Sequence, residues 1–124
     1  MFGTHNNWIN NGLSAWRDKN GSSYSVITRS DAETGHLGFG FSFNTNTWEH
    51  IVYTYTGTEV IGYRNGIEFN RSTYGKNGNV VLPVIYLGNS LYNNAPASEI
   101  DEASMSDFRI YATALSAVAV KELY

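Results

Sequence analysis

The 124-residue chain contains no cysteine, which excludes disulfides and thiolate zinc sites and leaves the core to hold by packing alone. Clusters of basic residues are missing too. Eight Lys+Arg stand against eleven Asp+Glu, for a formal net charge of -3, so neither nucleic acid nor an anionic membrane surface is expected as the main partner. No stretch approaches the roughly 18 apolar residues of a membrane helix. The opening Met1-Phe2-Gly3-Thr4-His5-Asn6 lacks the basic and then apolar regions of a signal peptide, so export by that route is not expected. What is present is a core. Hydrophobic residues make up 42% of the chain and aromatic residues 15%, which separates it from a disordered tail. The length fits one domain of about 100–150 residues, which buries roughly two thirds of its unfolded surface.

The most informative stretch is Trp48 to Asn70, WEHIVYTYTGTEVIGYRNGIEFN. His50-Ile51-Val52-Tyr53-Thr54-Tyr55 is dense in β-branched and aromatic residues, which suit the half-buried surface of a strand. A turn is expected at Thr56-Gly57-Thr58. The next strand, Glu59 to Arg64, ends in Asn65-Gly66, a dipeptide that accepts positive φ at both positions of a two-residue type I′ hairpin turn. Ile67-Glu68-Phe69 then starts the return. Three antiparallel strands in one continuous segment form a meander whose inner face needs a second apolar layer.

Trp48-x-His50-Ile51-Val52, Tyr55-Thr56-Gly57 and Tyr63-Arg64-Asn65-Gly66 resemble the central signature of the laminin-G-like jelly-roll domains in the concanavalin A-like lectin/glucanase superfamily. Asp107-Phe108-Arg109-Ile110-Tyr111-Ala112-Thr113-Ala114-Leu115-Ser116 is similar to the closing strand of that family and the start of its short helix. Together the two motifs cover about the last two thirds of the chain. The resemblance implies an all-β fold, a two-sheet antiparallel β-sandwich over residues 1–124 with a short C-terminal helix and with its opening strands short or missing. An unpaired edge left by such trimming favours pairing with another chain. Ser116 fits the N-cap of a helix over Ala117 to Leu123, docked through Val120 and Leu123 or Tyr124, although Ala119 stands where a capping box has an acid. Trp48, Phe39, Phe41, Tyr53 or Tyr55, Leu87 and Ile110 are the expected core.

The remaining segments are read from local pattern. Before Tyr24 the chain is rich in Asn, Gly and Ser, and short strands are expected around Trp8-Ile9 and Leu13 to Trp16. Trp16 or Trp8 either fills the core or offers a flat platform for a sugar ring. Ser25 to Arg29 reads as a strand and Asp31-Ala32-Glu33-Thr34-Gly35 as the loop after it. Two carboxylates there fall short of the six or more oxygens that calcium wants. His36 to Phe43 alternates cleanly, with Leu37, Phe39, Phe41 and Phe43 on one face and Gly38, Gly40 and Ser42 on the other. Ser72 to Asn79 reads as a polar loop. Val80 to Leu87 is an apolar run broken at Pro83. Gly88 to Ser98 is read as a further loop, in which Asn89, Tyr92, Asn93 and Asn94 combine side-chain amides with an aromatic. That mixture suits sugar hydroxyls and also suits an ordinary turn.

Glu99-Ile100-Asp101-Glu102 resembles the carboxylate motif of the laminarinase-like glycosidases in the same superfamily, but Ser104 stands where their final Glu belongs, so no acid/base partner is available at that spacing. His5, His36 and His50 have no nucleophile at a telling distance, and His50 reads as a core-edge histidine. The resemblance would place a structural calcium ligand where this chain has Ser106, with Asp107 next to it, so the expected cofactor is none, calcium being possible but unsupported. Two function classes follow. One is a non-catalytic, lectin-like module that binds a glycan or cell-surface carbohydrate through Tyr92, Asn93, Asn94, Asn89 and Trp16. The other is a structural, decoration or oligomerisation module, a homo-oligomer or a partner of virion proteins, without a glycan ligand. Closing segments like this one look similar to those of phage virion and bacterial surface proteins, so an extracellular or virion-associated location is expected.

Overall fold

A computed structural model describes residues 2–3, 13–17, 24–30, 33–37, 44, 46–73, 86–87, 90–92, 95–97 and 104–124, with side chains described for 44, 46–73 and 104–124. The strands are β1 (Phe2–Gly3), β2 (Leu13–Arg17), β3 (Tyr24–Ser30), β4 (Glu33–Leu37), β5 (Ile51–Tyr55), β6 (Glu59–Arg64), β7 (Ile67–Thr73), β8 (Tyr86–Leu87), β9 (Ser90–Tyr92) and β10 (Ala95–Ala97), and α1 is Ala117–Leu123. Three antiparallel groups result, a sheet ordered β4-β3-β2-β1-β8, the meander β5-β6-β7 and the hairpin β9-β10.

The meander follows the sequence closely. Gly57 sits at φ 98 in the first turn, where Thr56 N donates to Glu59 O at 3.1 Å and Glu59 N donates to Thr56 Oγ1 at 3.2 Å. In the second turn Asn65 and Gly66 have φ of 52 and 74, the positive pair that an I′ turn demands and that Asn and Gly tolerate best. β7 carries one extra residue where Gly62 pairs Asn70 but Tyr63 pairs Glu68. That bulge keeps Glu68 and Arg71 on the face they share with Glu59. Arg71 bonds both acids, at 2.7 Å to Glu68 and 3.0 Å to Glu59. Its guanidinium holds the Glu68 carboxyl below the usual range, chiefly through the hydrogen bond. Both groups of that pair stand in water, where such contacts contribute little.

The packed centre of this unit is β6. Val60 and Tyr63 are buried although they lie on opposite faces of the strand, Tyr63 on the face that also carries the exposed Glu59–Arg71–Glu68 network. Thr54 of β5 is buried beside them. Of Tyr53 and Tyr55, one or other of which is the expected core residue, both are only half-buried, on a strand that pairs on one side only among the described residues. Tyr55 sends its hydroxyl to Gly57 O at 3.0 Å, which keeps the phenol tip polar.

α1 caps as its sequence requires. Ser116 Oγ accepts from Ala119 N at 3.2 Å, and Lys121 stands in the last turn, where a cation complements the helix dipole. Val120 is buried, and α1 lies against β7. A Cβ built on Gly66 would stand 3.3 Å from Tyr124 Cβ and 3.4 Å from Lys121 Cα, so the glycine gives both the turn and the close approach. His50 and Tyr124 stack at 6.2 Å between ring centroids.

Several expectations are corrected. The loop expected over Asp31 to Gly35 is shorter, because Ser30 already pairs with Glu33 and β4 begins there, putting Glu33 on a strand. Ser72 and Thr73 extend β7 rather than opening a loop, drawn into the ladder by Val60 and Glu59 opposite. Gly88 to Ser98 is not a plain loop but contains β9 and β10. The closing segment forms no strand. Asp107 sits at φ 58, which breaks an extended run at its start, and Arg109 folds back on it with three contacts of 3.0–3.1 Å. β1 has no edge left for this segment, since β2 pairs it on one side and β8 on the other. Ile110 is therefore 49% exposed instead of buried, and Trp48 is 68% exposed. Trp8, Phe39 and Phe41 lie outside the described residues, as does the side chain of Leu87.

Candidate functional site

Of the residues expected to bind a sugar, Tyr92 and Trp16 lie in described strands and are placed by their backbone. In the β9–β10 hairpin Tyr92 pairs Ala95, Leu91 pairs Pro96 and Ser90 pairs Ala97, so Tyr92 is the last residue of its strand before a two-residue connection. Those two residues are Asn93 and Asn94. They and Asn89 lie outside the described residues. Pro96 has no N–H to give a ladder, and among the described residues β10 pairs only with β9. Trp16 lies on β2 opposite Ser25, in the middle of the five-stranded sheet. β9 lies against β1 and β1 pairs β2, so one short strand separates the backbone that carries Tyr92 from the backbone that carries Trp16.

A second polar constellation stands at one end of the meander, with its side chains described. Glu49 is ion-paired with Arg64 and accepts from Asn44 Nδ2 at 2.9 Å. Only 2% of the Glu49 side chain is exposed, against 25% of Arg64, so the carboxylate is the deeper partner. Next to it, Asn65 Oδ1 accepts from His50 N at 2.9 Å while Asn65 N donates to His50 O at 2.8 Å. The hairpin turn is thereby fastened to the entry of β5. His50 is half-buried, as its reading at the core edge required, and its Nδ1 has no partner among the described residues. Trp48 lies between these anchors. It is expected in the core yet exposed, and the signal to the contrary is Asn44-Thr45-Asn46-Thr47 just before it, a polar run with Asn46 at φ 58.

No group of three or more His, Cys, Asp or Glu suited to a metal occurs among the described residues. No helix among them is long and apolar enough to cross a membrane.

The sequence matches the family model of the concanavalin A-like lectin/glucanases superfamily, in its laminin-G form, over residues 2–121. The chain belongs to this superfamily. Membership extends to the N-terminal strands, beyond the motifs in the last two thirds of the sequence. A similar solved structure is that of an S-layer domain-containing protein, residues 221–444, from Clostridium thermocellum. It is 19% identical, with a TM-score of 0.54, over 93% of this chain and 57% of that one. At such identity the likeness shows the fold alone. No curated protein matches the sequence.

Proposed function

We propose that this superfamily member is a non-catalytic carbohydrate-binding module of a surface or virion assembly. The observation that carries the reading is the β9–β10 register, which puts Tyr92 at the end of a strand directly beside Asn93-Asn94. A flat aromatic next to side-chain amides offers a stacking face for a pyranose together with donors and acceptors for its hydroxyls. Asn89 and Trp16 support that contact. The superfamily includes enzymes, but the Glu99-Ile100-Asp101 run lacks its acid/base partner, so binding without turnover is the reading for this chain. Face-to-face closure of the five-stranded sheet and the meander into a sandwich belongs to the same proposal. Its support is that Val60, on the face of β6 away from the Glu59–Arg71–Glu68 network, is completely buried. An extracellular or virion-associated place, and a glycan as partner, follow from this function.

A second reading, a structural or oligomerisation module without a glycan ligand, draws support from the S-layer domain-containing protein that shares the fold. A glycan array, run with and without calcium and paired with light scattering for mass, separates the two. Tyr92→Ala is expected to weaken glycan binding by about 1–2 kcal/mol, the scale of one lost ring contact, with thermal stability nearly unchanged. Equal loss of stability and binding would place Tyr92 in the core. A stable oligomer that binds no glycan would leave the structural reading in its place.

A further inference from the structure

We propose that Trp48 is the stacking platform of a second sugar contact, flanked by the amides of Asn44 and Asn46 and taking a neutral, hydroxyl-rich ring. The proposal rests on the carbohydrate reading above and extends it to a loop on a different sheet. Trp48 is 68% exposed. Leaving so much indole in water forgoes a large burial term, and the protein does so at a loop that is otherwise held firmly. Asn44 Nδ2 reaches Glu49 at 2.9 Å, Glu49 is ion-paired with Arg64, and His50 N reaches Asn65 Oδ1 at 2.9 Å. The segment that follows Trp48 is thus tied to the end of β6 and to the β6–β7 turn, and Asn44 before it is tied to Glu49. A platform fixed in advance loses little freedom when a ligand arrives.

The surroundings select the ligand class. The exposed neighbours in sequence are Asn44, Asn46 and Thr47, all uncharged. The acid of the segment, Glu49, is 2% exposed and its charge is engaged by Arg64. A charged ligand finds no exposed opposite charge in this loop. Asn44 commits its amide nitrogen to Glu49, which fixes the side chain and leaves its carbonyl oxygen as an acceptor for a hydroxyl.

The test is a titration of the 124-residue protein with laminarihexaose, xylohexaose and chitohexaose, read by tryptophan emission and by calorimetry, on wild type, Trp48→Ala, Trp48→Phe and Tyr92→Ala. The expected result is that at least one of these neutral sugars binds wild type and shifts its emission. Trp48→Ala then binds about tenfold more weakly and loses most of the shift, while Trp48→Phe stays within about threefold of wild type. Trp48→Ala should melt within about 2 °C of wild type, since an exposed ring contributes little to packing. If Trp48→Ala binds as tightly as wild type while Tyr92→Ala does not, the carbohydrate reading stands and this second contact is overturned. If none of the three sugars binds wild type at millimolar concentration, both fall together. A large drop in the melting temperature of Trp48→Ala also overturns the proposal, because the ring would then be part of the core.

Discussion

Replacing Arg64 by methionine is expected to destabilise the protein by about 3–5 kcal/mol, the usual cost of leaving one member of a buried ion pair without its partner. The cost arises on the other side of the pair. Glu49 is 2% exposed and its Oε2 already has no hydrogen-bond partner among the described residues, so its charge depends on Arg64 and on the single contact from Asn44. Removing the guanidinium strands a carboxylate that water cannot easily reach. The reverse change, Glu49→Gln, should cost distinctly less. Arg64 is 25% exposed and can turn to solvent, and the amide oxygen of Gln can still accept from Asn44. Urea unfolding of both variants measures the asymmetry through the midpoint at constant slope. Equal losses below about 1 kcal/mol would mean that the pair behaves as an ordinary surface contact.

Tyr63→Ala should be about as damaging, at roughly 3–5 kcal/mol, because the ring is buried on the central strand and the cavity it leaves is hard to collapse. Its ladder neighbours are Val52 on β5 and Glu68 at the bulged part of β7, neither of which can swing into the gap without shifting register. Ile110→Ala makes the control. The motif reading puts Ile110 in the core, whereas the structure exposes 49% of it, so the change should fall within about 0.5 kcal/mol. Thermal melts of the two variants decide which of these residues the core needs. A heavier loss from Ile110→Ala than from Tyr63→Ala would reverse the assignment.

Local pattern made the meander legible because each of its turns carries its own chemistry. Gly57, Asn65 and Gly66 supply the positive φ of the chain reversals, and local hydrogen bonds from Thr56 and Asn65 fasten them. The helix was legible for the same reason, since Ser116 is a local cap. What misled was apolar size taken as burial. Trp48 and Ile110 are as hydrophobic as any core residue, yet burial also requires something to lie against them, and that is decided by segments distant in sequence. The closing motif had strand alternation, but a strand exists only where a neighbour offers a ladder, and β8 occupies the edge of β1. The candidate site shows both sides of this. Asn89 to Asn94 stands out by residue type, which says nothing of geometry. That Tyr92 ends a strand, with Pro96 on the returning one, was hidden because the three-residue strands are too short for any period to show.

The docking of α1 has a consequence for how the protein comes apart. Seven residues make about two turns, far short of the roughly 12–15 that let a helix persist alone in water. Its helicity therefore depends on Val120 staying buried and on Tyr124 staying against Gly66 and His50. Release and unwinding must be a single event. In amide hydrogen exchange the protons of α1 should be lost together, at one common opening rate and well before those of β6, whose ladders run to strands on both sides. Gly66→Ala, which pushes a methyl into the helix at a φ of 74, should speed that common rate and leave β6 slow. Independent fraying of the α1 amides, unaffected by the glycine, would show that the helix does not rely on the turn beneath it.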